Sequence, residues 1–477
     1  MQISVIGAGY VGLTTAACLC EIGHHVFCAE SNRQKLGLLL EGNVPFYEPH
    51  LAKLVAKNRD AKRLEFGTTE DAINRSEMIF ICVGTPPLDN GEADLSAIQS
   101  VARAIAGAKG YRLIVEKSTV PVQTAQQIKK YLSLYSTDGL DYDVASNPEF
   151  LREGSALEDF FHPDRIVIGV ESKRAENLLR DLYCPVLEQT FVCPVHRDCS
   201  QKIKPTLLVT DTSSAEIIKH ASNSFLAMKI SYVNLIADLC EVTGADIEKV
   251  AEGIGLDKRI GKSFLRPGIG FGGFCFPKDL QAFVRIAEKF GCDFSLLEEV
   301  ERINVARVDK FVEKVKEELW VLRGKRIALW GLAFKPNTDD IRFAPSLAII
   351  KRLLVEGAEI QAYDPEAMRN AKVQFPEIQF CEDMYEVARG AEAILVLTEW
   401  PDFVTPDWER LGSLVDRRLV IDGRNMFRGE ELVAHGFEYV AIGRSLKNNA
   451  VRTYPVTQSV GPRSSKPSLA SPSGNVS

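Results

Sequence analysis

The sequence has no uninterrupted apolar stretch of about 18 residues, so no transmembrane helix and no membrane partner are expected. The N-terminus carries an apolar run without a basic leader, and Gly7, Gly9 and Gly12 break it, so it does not read as a signal peptide. Positive charge is not in excess. The 57 Lys and Arg against 64 Asp and Glu leave a net charge of -7, which argues against nucleic acid or an anionic membrane as the main partner. A phosphorylated ligand held locally stays open. A cysteine framework is missing too: the eleven cysteines are an odd number and lie scattered. The nearest pairs, Cys18 with Cys20 and Cys193 with Cys199, show no zinc-like partners at matching spacing, so no metal site is expected. A reducing, cytoplasmic compartment is the simpler reading.

What is there is an ordinary globular composition, 45% hydrophobic and 25% charged over 477 residues. That length calls for two or three domains of about 100–200 residues. Strand-like runs at Ile3–Ile6, His25–Ala29, Met78–Val83, Leu113–Glu116, Tyr142–Ser146 and Arg165–Gly169 alternate with helix-length stretches. This predicts an α/β unit over 1–210 with a parallel sheet covered on both faces. From Asp211 the chain runs to Gly244 without Gly or Pro and is apolar nearly all round, at Ile217, Ile218, Phe225, Leu226, Met228, Ile230, Val233, Leu235 and Ile236. Such a helix should be buried between domains or between subunits. Residues 211–320 are therefore expected to form a mostly helical region. A second α/β unit follows over 321–452, with strands at Arg326–Trp330, Glu359–Tyr363, Ala393–Leu397 and Leu419–Ile421. The Ser/Pro-rich residues 453–477 read as a disordered tail.

Residues 3–12, ISVIGAGYVG, place G-x-G-x-x-G at Gly7, Gly9 and Gly12 between a strand and a helix. Glycines there permit a tight turn, close approach of a pyrophosphate, and close helix–strand packing. Glu30 ends the next strand 18 residues after Gly12, where a carboxylate binds ribose hydroxyls and repels a 2′-phosphate. NAD is thus favoured over NADP, with Arg33 and Lys35 close behind. Val83-Gly84-Thr85-Pro86-Pro87 is a second strand end that either meets the cofactor or is a plain proline-terminated turn.

The stretch FLRPGIGFGGFCFPKD, Phe264–Asp279, carries Cys275 in the middle of a glycine-rich loop with Lys278 and Asp279 just after it. A free cysteine is usually a small core residue, but a nearby cation lowers a thiol's pKa and the thiolate is a nucleophile. A nicotinamide cofactor oxidises an alcohol without a nucleophile. An aldehyde needs an addition to its carbonyl before a second hydride is available, and a thiol supplies it through a thiohemiacetal and a thioester. Glu149 is a candidate base for the hydrolysis, although its Asn-Pro context equally suits a helix start. Lys219 and Asn223 lie four apart on one face of the long helix, where they form a solvated stripe or hold an oxyanion and a water.

These motifs together resemble the UDP-glucose/GDP-mannose dehydrogenase family over about residues 1–445. The matching pieces are IGAGYVGL at the start, VGTP at 83–86, EKSTV at 116–120 and NPEFLREG at 147–154. AEIIKHASNSFLAMKISYVN at 215–234, FLRPGIGFGGFCFPKDL at 264–280 and GLAFKPNTDDIR at 331–342 complete the set. The resemblance implies two Rossmann-like, doubly wound parallel-sheet domains joined by a long central helix through which the family usually forms a homodimer. It implies NAD-dependent four-electron oxidation of UDP-glucose to UDP-glucuronate. Carried over by motif, Cys275 is the nucleophile, Lys219 and Asn223 frame the oxyanion, and Thr119, Glu149 and Asp279 handle water and protons. Cofactor contacts fall on Val11, Glu30, Lys35, Thr85, Thr119, Glu153, Lys278 and Arg342. Substrate contacts fall on Glu149, Phe150, Leu151, Arg152 and Glu153, on Lys219 and Asn223, on Phe264, Leu265, Arg266, Pro267, Gly268 and Gly272, and on Lys335.

Three positions depart from the family pattern: Glu30 for the commoner Asp, Phe274 where Ser is usual, and His50 where Gly is usual. Residues 193–206 are longer and more polar than the family connection. Within the family, the alternative substrates are GDP-mannose and a UDP-N-acetylhexosamine, though Cys275-Phe276-Pro277-Lys278-Asp279 looks like the UDP-glucose branch. A one-step 3-hydroxyacid dehydrogenase needs no cysteine loop. A non-catalytic nucleotide-sugar-binding regulator should lack Cys275, Lys219 or Asp279, and all three are present.

Overall fold

The computed structural model describes residues 1–136, 139–196, 199 and 203–444. The N-terminal sheet contains β1 (Gln2–Ile6), β2 (His25–Ala29), β3 (Leu64–Gly67), β4 (Met78–Ile81), β5 (Gly110–Glu116), β6 (Leu140–Ser146), β7 (Arg165–Gly169) and β8 (Thr206–Thr210). Their order is β3-β2-β1-β4-β5-β6-β7-β8. The central strands are short apolar runs buried along their length, as parallel strands covered on both faces must be. Ile6 pairs with both Ala29 and Ile81, so β1, β2 and β4 end level with one another. The chain order reverses across β1, and the turns after these three strands open onto one crevice.

Strands β3 and β8 are additions to the predicted set. The parallel expectation holds from β3 to β6, but β7 meets β6 antiparallel through the single pair Ser146 with Gly169 and then carries β8 parallel to itself. The edge strand β8 is only partly buried along its length, although it carries the apolar run Leu207–Val209.

The long helix spans Thr212–Thr243, capped by the Asp211 side chain accepting from Ser214 N at 2.8 Å and ended by Gly244 in the left-handed region. Within one chain only one side of it is covered. Apart from Val233, the buried positions are small or polar, among them Ala215, Glu216, Lys219, His220, Asn223, Ser224, Ser231 and Asn234. Ile217, Phe225, Tyr232, Leu235, Leu239 and Val242 are exposed. Small residues let the helix sit close to the sheet and to the helices Cys275–Lys289 and Ser295–Leu319, and this turns its bulky face outward.

The C-terminal sheet contains β9 (Arg326–Trp330), β10 (Glu359–Tyr363), β11 (Gln379–Phe380), β12 (Ala393–Val396), β13 (Leu419–Asp422) and β14 (Glu438–Ala441). Its order is β11-β10-β9-β12-β13-β14, parallel throughout. In place of a glycine fingerprint, Asp364 accepts from Leu332 N, Ala333 N and Ala367 N at 2.6–3.0 Å and is fully buried. The predicted tail, 453–477, lies outside the described residues. Among the described residues no helix is long and apolar enough to cross a membrane.

Candidate functional site

At the ends of β1 and β2 the glycine turn is tightly built. Gly7 has φ +101°, and a Cβ there would lie 2.6 Å from the Cys82 carbonyl oxygen. A Cβ on Gly12 would lie 1.8 Å from the Gly7 carbonyl oxygen, so helix and turn touch backbone to backbone. Gly9 differs: nothing lies within 4 Å of its Cβ position. This combination of a packed turn around an open glycine fits a pyrophosphate lying on the following helix, Tyr10–Glu21. Glu30 accepts from Ala8 N at 3.2 Å and from Asn32 N at 2.8 Å, which fixes its carboxylate beside the turn. Lys35 is exposed in the first turn of helix Arg33–Glu41, and Val11 is partly buried in the glycine helix. On the far side of the crevice the Thr85 hydroxyl donates to the Thr119 carbonyl at 2.8 Å.

The second part of the site is a buried array of charges. Lys219 Nζ donates to Glu149 Oε1 at 2.9 Å, both side chains being 5% exposed. Glu149 Oε2 accepts from Leu151 N at 2.6 Å. Four residues along the same helix, Asn223 donates to Asp279 Oδ2 at 2.6 Å, while Lys278 Nζ lies 3.1 Å from Asp279 Oδ1 and 3.4 Å from the Thr85 hydroxyl. Burial works against the Lys219 ammonium, but Glu149, Asp279 and Cys275 outweigh it and hold its pKa above the usual value. Burial likewise opposes the Asp279 carboxylate, yet Lys278 and Lys219 keep its pKa below the usual range. The paired residues Lys219 and Asn223 are thus no solvated stripe.

Cys275 departs from the sequence expectation in two ways. It opens the helix Cys275–Lys289 instead of lying mid-loop, because Pro277 falls in the first turn, where a missing N–H costs nothing. Its thiol is also pushed up to about 12, first by burial and then by Asp279, with Lys219 as the opposing cation. The expected partner, Lys278, is engaged with Asp279.

The loop before Cys275 is pressed against the C-terminal unit. Gly268 N donates to Asn234 Oδ1 at 2.8 Å, and a Cβ at Gly272 would lie 2.4 Å from the Phe343 carbonyl oxygen. Phe264 adopts φ +63°, Leu265 and Pro267 are buried, and Arg266 donates to the Asn425 carbonyl at 3.4 Å. Arg342 lies 4.4 Å over the Phe274 ring and 3.5 Å from Glu153, and Lys278 lies 5.5 Å over the same ring. Burial and Asp340 push the Glu153 carboxyl up to about 8 against Arg342 and Lys335, while burial lowers the Lys335 pKa. Phe150 packs between Lys219, at 5.5 Å, and Arg165, at 3.8 Å. Arg152 turns away to form a two-pronged ion pair with Asp159, its shortest contact 2.6 Å.

Three family models cover this chain in order: the UDP-glucose/GDP-mannose dehydrogenase NAD binding domain over 1–187, the central domain over 213–306 and the UDP binding domain over 328–429. The chain belongs to the UDP-glucose/GDP-mannose dehydrogenase family. UDP-glucose 6-dehydrogenase YwqF of Bacillus subtilis is 44% identical, with 93% of this chain and 98% of that protein covered. The UDP-glucose 6-dehydrogenase of Rhizobium meliloti is 42% identical, with 93% and 100% covered. Among solved structures, a UDP-glucose dehydrogenase from Pyrobaculum islandicum superposes with a TM-score of 0.83 at 36% identity, covering 93% of this chain and 98% of that one. A UDP-D-ManNAc dehydrogenase from Pyrococcus horikoshii gives 0.78 at 27% identity, covering 93% and 99%.

Several supporting residues of this family member escaped the sequence reading. Glu48, bonded to the Tyr10 hydroxyl, accepts from Gly154 N at 2.6 Å and Ala156 N at 2.8 Å, anchoring the segment that carries Glu149–Glu153. Arg424 ties the cysteine loop to the C-terminal unit through the carbonyls of Gly270, at 3.1 Å, and Phe334, at 3.1 Å. His50 takes φ +67°, which accounts for the glycine usual there. One reading is overturned: Cys193 and Cys199 do have zinc-like partners, since His162 and His196 bring their ring nitrogens to the two sulfurs. His162 is far away in sequence, and the Cys-x-x-His-x-x-Cys spacing went unread.

Proposed function

We propose that this chain oxidises the 6-hydroxymethyl group of UDP-glucose to a carboxylate, consuming two NAD and one water per sugar. The observation that carries this reading is Cys275 at the start of a helix, within the electrostatic reach of Lys219, Asp279 and Glu149. A one-step alcohol oxidation has no use for that arrangement. Gly7, Gly9, Val11, Gly12, Glu30, Lys35, Thr85, Thr119, Glu153, Lys278 and Arg342 would hold NAD, which supplies a hydride acceptor for each of the two oxidations. Phe150–Glu153, Phe264–Gly268, Gly272 and Lys335 would hold the nucleotide sugar between the two α/β units.

The chemistry then follows from the groups present. The first oxidation removes a hydride and a proton from the alcohol. Cys275 Sγ adds to the resulting carbonyl carbon, and the thiol proton passes to the carbonyl oxygen, which Lys219 and Asn223 face. Loss of a second hydride and that hydroxyl proton leaves a thioester. Water attacks its carbonyl carbon as Glu149 takes the water's proton, and that proton is returned to sulfur as the carbon–sulfur bond breaks, which restores the thiol and releases the acid. Thr119 and Asp279 position water and relay protons.

The chain is read as three working units, 1–210, 211–320 and 321–452, and as a homodimer through the long helix. The exposed row Phe225, Tyr232, Leu235 and Leu239 supports that pairing. No disulfide joins any of the cysteines among the described residues, in keeping with a cytoplasmic enzyme. The test is to incubate the purified chain with limiting UDP-glucose and excess NAD and to count NADH. Two per sugar is the expected result. One means release at the aldehyde, and none sends the reading to a sister nucleotide sugar.

A further inference from the structure

We propose that His162, Cys193, His196 and Cys199 bind one structural zinc ion at the edge of the N-terminal sheet. Their four ligand atoms all lie within 4.8 Å of one another. His162 Nε2 is 3.2 Å from Cys193 Sγ and 3.4 Å from Cys199 Sγ; His196 Nδ1 is 3.6 Å from each sulfur. For Zn–S of about 2.3 Å and Zn–N of about 2.0–2.1 Å, a tetrahedron has S···N edges of roughly 3.5 Å. All four nitrogen–sulfur edges thus have the length a shared ion would impose.

The ring nitrogens that face away from the sulfurs support the same conclusion. Gln189 is buried, and its Nε2 donates to the carbonyls of Phe161, at 3.0 Å, and Val186, at 2.8 Å. Its Oε1 is thereby fixed as the acceptor 3.1 Å from His162 Nδ1. The proton of His162 therefore sits on Nδ1, and the Nε2 lone pair points at two sulfurs, which is the tautomer a metal needs. His196 Nε2 lies 3.7 Å from Glu158 Oε1, so a carboxylate stands on the side of that ring away from the sulfurs. The His196 N–H donates to Cys193 Sγ at 3.3 Å, suiting a thiolate acceptor.

Four protein ligands of the Cys₂His₂ type fill the coordination of zinc, leaving no open position, so the role is structural. His162 caps the C-terminal end of helix Ala156–Phe161, whose N-terminal end follows the Glu149–Glu153 segment. Cys193, His196 and Cys199 belong to the connection between helix Lys173–Leu187 and edge strand β8. The ion would tie that connection to helix Ala156–Phe161, which gives a use to the long polar stretch after residue 192. The alternative chemistry for two neighbouring sulfurs is a redox disulfide, which requires no histidines.

The test starts with the full chain purified without added chelator and assayed for metal by mass spectrometry. About one zinc per chain is expected, retained by Cys292→Ser and lost by Cys193→Ser with Cys199→Ser. Because those variants risk misfolding, the wild-type protein is also stripped and reloaded with cobalt(II). A thiolate-to-cobalt charge-transfer band with strong tetrahedral visible bands supports the site. Reloaded wild-type protein that binds neither zinc nor cobalt overturns it. So does a Cys193–Cys199 disulfide in protein prepared under reducing, anaerobic conditions, or zinc retained by the double serine variant.

Discussion

Lys219→Met separates catalysis from charge neutralisation. The pair Lys219–Glu149, at 2.9 Å and almost without solvent, has a gross attraction of roughly 6 kcal/mol at an effective dielectric of about 20. Desolvation offsets most of this, but removing one partner leaves Glu149 uncompensated and costs about 3–5 kcal/mol of stability. The substitution also deletes the cation that opposes the rise of the Cys275 pKa and faces the proposed oxyanion. Loss of such a donor lowers kcat by about 10²–10³, or roughly 3–4 kcal/mol. The assay pairs initial NADH rates at saturating UDP-glucose with thermal unfolding, for Lys219→Met alone and combined with Glu149→Gln. The combined variant should recover stability, because the orphaned carboxylate is gone, and should recover no activity. A kcat for Lys219→Met within about threefold of wild type refutes the oxyanion role. Activity restored in the combined variant would refute both the oxyanion role of Lys219 and the base role of Glu149.

Cys275→Ala should abolish formation of the acid while NAD still binds by calorimetry; a variant making acid at the wild-type rate excludes the thioester. Alkylation of Cys275, followed by peptide mass spectrometry, should be slow at neutral pH and climb steadily to pH 10. A thiol titrating near 12 is only about 10⁻⁴ to 10⁻⁵ thiolate at pH 7.5, against roughly a tenth for an unperturbed cysteine. A rate that levels off by pH 8 contradicts this. Gly9→Ala and Gly12→Ala should differ: the first keeps its unfolding temperature but binds NAD at least about tenfold more weakly, since its methyl group enters the space left for the pyrophosphate. Gly12→Ala should lose both, because its Cβ would collide with the Gly7 carbonyl; full stability in that variant would mean that the turn is looser than described.

Much of this was legible because local pattern and tertiary role coincide in the central strands, where buried β-branched runs can only be sheet. The glycine turn and Glu30 were legible for a related reason: backbone geometry dictates both residue type and spacing. Legibility failed where a partner is distant in sequence. Lys278 is the sequence neighbour of Cys275, but the helical turn directs it to Asp279 and Thr85, and the cation that acts on the thiol comes from the long helix. On that helix the periodicity was apolar all round, so it left undecided which face would be buried. Close packing against the sheet selected the small and polar face.

On the mechanism proposed above, the charge balance of the site favours addition of Cys275 as a neutral thiol. A preformed thiolate would join Glu149 and Asp279 as a third anion, against Lys219 and Lys278, in a space with little solvent to screen it. The resting balance of two anions with two cations is already closed, which is why burial and Asp279 together raise the thiol instead of ionising it. The step that preserves this balance is addition with the proton leaving sulfur as the carbon–sulfur bond forms, so that no net charge is created. Proton transfer to the carbonyl oxygen would then be part of the barrier, and the proposed role of Lys219 and Asn223 falls where that oxygen would carry its transient charge. The same arithmetic supports the proposed base role of Glu149: once a thioester is formed, sulfur is neutral, and a water losing its proton to Glu149 would again leave the site's charge unchanged. A thiol held neutral in this way should also resist oxidation, because the thiolate is the form that oxidants attack.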